Sequence, residues 1–266
     1  MSELRVHVEG IGAWTRGAPD WQALRARLRG EAAMREDAAP KPAAAALPAA
    51  ERRRAPDSVL LAAEVAAQAC AMASRDPATL ACVFASTHGE LAITDYMCAT
   101  LAGAPRELSP TKFHNSVHNA PAGYWTIATH CERASDAVTG GHASFGAGLL
   151  QAAALAAADG APVLFAAYDI ASCGPLAEMT RTTRAFGAAL VLSSSRSDHA
   201  ACAMVLSLRE GPTPTMNAPP GFETLAADNP LNAHALALLA AIAGDAPAHL
   251  TLPAASGLLV DMEVRA

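Results

Sequence analysis

Residues 134–158 read ASDAVTGGHASFGAGLLQAAALAAA, and this stretch decides the fold that the sequence predicts. Residues 134–139 predict a short strand, Gly140 and Gly141 a tight turn, and residues 143–158 a long Ala/Leu helix. Enzymes use a strand-to-helix turn of this kind, an elbow, to hold a nucleophile at a helix N-terminus. Free N–H groups and the helix dipole favour an anion there.

The tip of this elbow carries no cysteine and no serine. The nearest candidates are His142 and, slightly further into the helix, Ser144. Two residues apart on a helix, these side chains do not face each other. The sequence around Ser144, H-A-S-F-G, also fails to match the Gly-x-Ser-x-Gly motif of hydrolases. A Ser144–His142 hydrolase is therefore disfavoured.

Short apolar segments alternate with alanine-rich helical segments along most of the chain, which predicts an α/β fold. Residues 186–193 and 200–208 predict a hairpin, joined by a polar link. The Pro/Ala segment 37–50 predicts a surface connection, and the Pro-rich segment 212–220 interrupts the pattern. The remaining predicted strands are 5–13, 80–86, 163–168 and one or two within 249–265, and the remaining helices are 19–30, 57–74, 120–131 and 230–243.

Composition excludes some classes of partner. The chain has 266 residues, of which 52% are hydrophobic, 5% aromatic and 17% charged, with a net charge of −6. A negative balance without a long basic run disfavours nucleic acid and anionic membrane surfaces. We also find no apolar stretch typical of a membrane span and no signal peptide, so we expect a cytoplasmic protein.

The six cysteines are widely scattered and form no C-x-x-C pair, which argues against a disulfide framework and against a zinc ribbon. His114 and His118 have metal-ligand spacing if they lie on a helix, but no third ligand is evident. We interpret them as loop or interface histidines. We expect no metal and no cofactor.

Four segments, in order, resemble the ketosynthases of the thiolase superfamily. RVHVEGIGAWT (5–15) is similar to the family's opening strand R-V-x-V-T-G-x-G-x-x-T. Ser109-Pro110 followed by N-A-P-A-G (119–123) resembles the segment that precedes the catalytic cysteine. AAYDIASCGPL (166–176) and FGAALVL (186–192) resemble A-G-G-x-E-x-x-x-x-P-L and G-A-G-A-L-V-L. The resemblance covers residues 1–210.

The resemblance places His142 where the family has its catalytic cysteine. In the family, 23 residues separate the motif asparagine from the nucleophile, and Asn119 precedes His142 by the same distance. Cys131 and Cys173 are at least ten residues away. The family's two further catalytic histidines, in H-G-T-x-T and G-H motifs, have no counterpart here.

The fold implied by this resemblance is a thiolase-like layered α/β fold with one full repeat and a truncated second half. We expect a mixed five-stranded sheet with the helix of residues 143–158 buried at its centre. Residues 1–210 would form the ketosynthase N-terminal-like domain, and residues 211–266 a short C-terminal extension packed on it.

The function implied is that of a non-catalytic chain-length factor, as in aryl polyene biosynthesis. Such a chain would form a heterodimer with a full-length ketosynthase, shape its acyl tunnel and meet acyl carrier protein through the complex. In the family, the segment after Ser-Pro crosses the dimer interface. By this resemblance the tunnel or interface residues are Thr111, Lys112, Phe113, His114, Asn119 and Ser144.

Two alternatives stay open. The chain could decarboxylate malonyl groups through His142, or it could be a stand-alone homodimer that binds an acyl ligand. For His142 itself, packing and hydrogen bonding at a helix start is the simpler interpretation, since a positive helix end disfavours an imidazolium. Phe113 could equally be an ordinary core residue.

Overall fold

A computed structural model describes residues 3–33, 41–215, 218–230, 233–244 and 246–265. Within these residues one mixed sheet of eight strands forms the centre of the molecule, in the order β3-β2-β4-β5-β1-β6-β8-β7. The strands are β1 (Leu4–Thr15), β2 (Ala81–Ala85), β3 (Ser135–Val138), β4 (Val163–Asp169), β5 (Phe186–Ser193), β6 (Cys202–Glu210), β7 (Ala248–Ala255) and β8 (Leu258–Arg265).

Helices cover both faces of this sheet. They are α1 (Trp21–Leu28), α2 (Ala49–Arg54), α3 (Asp57–Met72), α4 (Leu91–Gly103), α5 (Pro110–His114), α6 (Ala120–Thr129), α7 (Ser144–Asp159), α8 (Ala177–Thr180), α9 (Glu223–Asp228) and α10 (Ala233–Ala243). One core lies between the sheet and α1, α7 and α10. The second core lies on the opposite face, under α3 and α6. None of the described helices is long and apolar enough to cross a membrane.

The sheet is larger than the predicted five strands. Five of the eight strands, in the order β3-β2-β4-β5-β1, form one side of it, and β3 and β4 run parallel to β2. β6, β8 and β7 extend this side as an antiparallel meander. The expected strand count is therefore corrected from five to eight. β7 and β8 come from the segment 211–266, whose strands continue the same sheet.

The predicted hairpin of residues 186–193 and 200–208 is wrong. β1 lies between β5 and β6 and pairs antiparallel with both. Its twelve residues reach far enough for His7–Thr15 to pair with β5 and for Leu4–Val8 to pair with β6. Two apolar strands with a short polar link carry the same sequence signal whether they are neighbours or flank a third strand.

α7 begins and ends within two residues of the predicted helix and packs directly on backbone. It contacts β4 and β2 on one side and β7 on the other. A Cβ at Gly146 would lie 2.1 Å from the carbonyl oxygen of Pro253 in β7. A Cβ at Gly148 would lie 2.7 Å from the ring of Phe165 in β4. Only glycine lets the helix come this close, so these two positions set the depth of α7.

α4 is a helix that the sequence patterns did not predict. Its residues LAITDYMCATLAG are mostly apolar, yet only Leu91 and Ile93 are buried. Because apolar residues surround the whole helix, no stripe with a period of 3.6 residues marks its inner face. The Pro/Ala connection predicted at 37–50 overlaps residues 34–40, which lie outside the described residues, and it ends where α2 begins.

We expect Gly146→Ala to lower the free energy of unfolding by ~1–3 kcal/mol or more, because the new methyl group meets the Pro253 carbonyl rather than a movable side chain. Urea denaturation of the full chain measures the change. Gly123→Ala is the matched control, since Gly123 is also helical and a Cβ there meets nothing within 4 Å. Equal stabilities of the two variants would contradict the close packing of α7.

Candidate functional site

The predicted elbow exists and is held together by Ser144. β3 leads through one 3₁₀ turn, Gly141–Ala143, into α7. Gly141 has a φ of 59°, in the left-handed region that favours glycine. Ser144 Oγ accepts a hydrogen bond from the Gly140 amide at 2.9 Å and donates one to the Gly141 carbonyl at 2.7 Å. The Ser144 hydroxyl is therefore engaged in the turn and is buried rather than presented to a substrate.

His142 is the residue presented at the tip of the elbow. Its side chain is exposed, whereas Ala143 and Ser144 behind it are buried. An exposed imidazole in water is a poor nucleophile unless a base or a positive neighbour activates it. His142 is thus accessible, and among the described residues no hydrogen bond or ion pair activates its imidazole.

The loop after β2 supports the elbow from behind. Thr139 Oγ1 donates to the Thr87 carbonyl at 3.1 Å, and Thr87 Oγ1 lies within hydrogen-bond distance of the Gly141 carbonyl at 3.3 Å. Asp169, at the end of β4, accepts hydrogen bonds from Ser86 Oγ at 2.7 Å and from the Thr87 amide at 2.9 Å. Sequence reasoning missed this network. The sequence signal that could have predicted it is Asp169, a carboxylate placed directly after the apolar strand predicted at 163–168.

His114 and His118, the two histidines with metal-ligand spacing, have different contacts. His118 Nε2 lies 3.1 Å from the Ser86 carbonyl, beside the elbow. His114 instead packs edge-on to the Tyr124 ring, with centroids 6.3 Å apart. Within the described part of the chain no three His, Cys, Asp or Glu side chains are grouped so as to hold a metal ion.

A cavity of about 610 Å³ opens between α2, α5 and α6. Its walls include two of the residues selected from the sequence, His114 and Asn119, together with Val117 and Ile127. Thr111 borders an adjoining cavity with His114. Lys112 points elsewhere, because its Nζ lies 4.9 Å from the centroid of the Tyr96 ring. The structure therefore separates Lys112 from the wall of the main cavity.

Large apolar side chains are exposed around this cavity. Phe113 is 60% exposed, Val117 52% and Ile127 76%, so Phe113 is not a core residue. We call these three residues the α5–α6 face. Among the described residues, β3 at the adjacent edge of the sheet pairs with β2 alone and leaves its other edge open. Exposed apolar groups and an open strand edge are typical of surfaces that another chain covers.

No cysteine is poised for chemistry at the elbow. Burial raises the pKa of the Cys70 and Cys82 thiols to about 12 and that of Cys202 to about 11. Cys131 is also buried and donates through Sγ to the Leu80 carbonyl. Cys98 and Cys173 are exposed. A buried thiol that stays protonated is inert as a nucleophile.

Comparison with protein families gives one match. The model of the beta-ketoacyl synthase N-terminal domain matches residues 21–252. This range begins at α1 and ends within β7. No curated protein sequence matches the chain significantly.

Several solved structures have the same fold. A chain of the ketosynthase ApeO in complex with its chain length factor ApeC from Xenorhabdus doucetiae is 22% identical, with a TM-score of 0.73 over 97% of this chain and 99% of that chain. A chain of the ishigamide ketosynthase/chain length factor is 16% identical, with a TM-score of 0.69 over 98% and 99%. A beta-ketoacyl synthase from Burkholderia phymatum is 16% identical, with a TM-score of 0.56 over 89% and 70%. These matches confirm the predicted thiolase-like layered fold.

We expect two of the six thiols to react rapidly with a thiol reagent in the folded chain and all six to react after denaturation. Cys98 and Cys173 are exposed, whereas the other four are buried. Absorbance on reaction with Ellman's reagent at pH 8 gives both counts. A third rapidly reacting thiol, identified by peptide mapping, would contradict the absence of an activated cysteine.

Proposed function

Since the chain belongs to the beta-ketoacyl synthase family, we propose that it is a non-catalytic chain-length-factor subunit that pairs with an active ketosynthase. The observation that carries the proposal is the elbow itself. Its scaffold is intact, but its tip holds an exposed His142, and its serine is used to close the turn. An elbow without a nucleophile cannot carry the acyl chain through a thioester.

The open surface next to the elbow supports the pairing. The α5–α6 face presents three large apolar side chains to solvent, and the free edge of β3 can accept main-chain hydrogen bonds from another strand. A stable interface needs a central apolar patch of this kind, surrounded by polar groups. The partner proposed for this surface is a full-length ketosynthase that brings the missing cysteine and histidines.

The cavity beside α6 supports a role in shaping an acyl tunnel. Its lining includes the apolar side chains of Val117 and Ile127, which suit a hydrocarbon chain, together with His114 and Asn119. Phe113, which precedes His114 in the chain, is exposed, and we propose that it contacts the partner's tunnel. We propose products of the polyene or fatty-acid type, as in aryl polyene biosynthesis, with acyl carrier protein meeting the chain through the complex.

A second candidate function keeps some chemistry at the elbow. His142 is accessible at a helix N-terminus, so a malonyl group delivered there could in principle lose carbon dioxide. Among the described residues, no hydrogen bond or ion pair links the His142 side chain to a base, which disfavours this function. A stand-alone homodimer would use the same α5–α6 face for a second copy of this chain.

We expect Ile127→Asp to weaken co-purification with a co-expressed ketosynthase by about tenfold or more, because burying an unpaired carboxylate costs several kcal/mol. Affinity capture followed by size-exclusion chromatography measures the complex. Leu208→Asp is the control. Leu208 is also an exposed apolar residue, but it lies on β6, which four strands separate from β3 in the sheet.

A wild-type chain that stays apart from every ketosynthase tested would refute the subunit proposal. A chain that forms homodimers, lost in the Ile127→Asp variant, would instead support the homodimer alternative.

We expect Phe113→Ala to shift the products of the reconstituted complex towards longer chains, because the smaller side chain leaves more room in the tunnel. Mass spectrometry of the released acyl products gives the distribution. His142→Ala is expected to leave the rate of product formation unchanged. Loss of product with an intact complex in His142→Ala would favour the decarboxylase alternative, and unchanged lengths in Phe113→Ala would remove Phe113 from the tunnel.

A further inference from the structure

A group of buried titratable side chains lies behind the elbow, where the loop of residues 86–90 meets the end of β4. Asp169 is 1% exposed, and the side chain of His88 is 5% exposed. His88 Nε2 lies 3.8 Å from Asp169 Oδ1. Among the residues that the structure describes, neither ring nitrogen of His88 has a hydrogen-bond partner, and neither does the Tyr168 hydroxyl.

Burial of Asp169 or of His88 alone would be unfavourable, because each side chain loses its hydration. Burial raises the pKa of Asp169, whereas the charge of His88 and the hydrogen bonds from Ser86 and Thr87 lower it. A buried carboxylate without a cation, or a buried imidazole without a partner, loses several kcal/mol of hydration. Placed together, His88 and Asp169 offset one another's desolvation, so each explains the burial of the other.

Two other acidic groups face this region, and Asp169 remains the best partner for His88. Glu90, the N-cap residue of α4, accepts a hydrogen bond through Oε2 from the Ser58 amide at 3.2 Å, at the N-terminus of α3. Burial raises the pKa of Glu90, and the Ser58 hydrogen bonds lower it more than His88 does. Burial and neighbouring charges raise the pKa of Tyr168, which stays neutral. Glu90 is thus engaged with α3, and Tyr168 carries no charge.

The pair is connected to the elbow through Thr87. Asp169 accepts the Thr87 amide at 2.9 Å, the Thr87 carbonyl accepts from Thr139, and the Thr87 hydroxyl reaches Gly141. His88 follows Thr87 directly in the chain. Any movement of the loop away from Asp169 therefore displaces both ends of the elbow.

We propose that His88 and Asp169 form a positioning pair that holds the elbow in place, with His88 directing an Nε2–H at the carboxylate. The pair does not touch an acyl chain; it acts through Thr87. The structural part stands without the proposed function, and only its effect on product length rests on that function. Neither residue belongs to the set that the sequence analysis selected.

Hydrogen exchange of the elbow tests the structural part. We expect His88→Asn and Asp169→Asn each to accelerate exchange in residues 139–149 by about tenfold, because each variant removes the electrostatic attraction between these two buried groups. Asp169→Asn retains an oxygen acceptor for Thr87 and removes only the charge. His199→Asn is the control, since His199 is exposed in the β5–β6 link.

The double variant distinguishes a coupled pair from two separate defects. We expect its elbow exchange to match that of the single variants, as residues acting as a unit are not additive. Unchanged elbow exchange in either single variant would overturn the proposal, as would exchange that rises equally in His199→Asn.

If the variants fail to fold, a measurement on the unaltered chain tests whether His88 directs an Nε2–H at Asp169. With ¹⁵N-histidine labelling, long-range ¹H–¹⁵N spectra report which ring nitrogen carries hydrogen. The His88 signals are identified by assigning the spectrum of the unaltered chain. We expect a hydrogen on Nε2; an Nε2 that carries none would overturn the proposal.

The functional consequence is read in the complex with ketosynthase. We expect His88→Asn and Asp169→Asn to broaden the product-length distribution while the complex stays assembled, and His199→Asn to leave it unchanged. Unchanged product lengths together with faster elbow exchange would overturn the functional part alone. A wild-type chain that binds no ketosynthase would refute the proposed function, and the exchange experiment would still decide the role of the pair.

Discussion

The contact between the backbone of α7 and the carbonyl of Pro253 is the constraint on which the rest of the structure depends. Because Gly146 has no side chain, α7 lies directly on the backbone of β7, and Gly148 lets it approach the Phe165 ring of β4. The helix is thereby enclosed between β4, which follows it directly in the chain, and β7, which lies about ninety residues further on. Its N-terminus, and with it the elbow, is held in a position that neither strand alone could define.

The elbow presents His142 to solvent and uses Ser144 to close its turn. Among the described residues, no hydrogen bond or ion pair joins the His142 side chain to a neighbour, and four of the six cysteines are buried. The accessible features of the described residues are the α5–α6 face, the free edge of β3 and the cavity between α2, α5 and α6. Exposed apolar side chains beside a free strand edge are typical of a surface that another chain covers.

The sequence predicted the positions of most helices and strands, but it did not predict which strands pair with each other. Strand and helix positions depend on local periodicity, which is why α7 and the strands at 163–169 and 186–193 lie where expected. The placement of β1 between β5 and β6 depends on pairing over almost two hundred residues, which no local pattern records. α4 escaped prediction because its apolar residues face solvent as well as the core.

The sequence by itself determined the family resemblance and the position of the elbow with His142 at its tip, since motif spacing survives in a linear chain. Only the tertiary structure decided that Ser144 closes the turn, that Phe113 is exposed and that His88 meets Asp169. These facts depend on distances between residues far apart in the chain. The chemistry of each side chain follows from the residue type, whereas its burial and its hydrogen-bond partners arise only when the chain has folded.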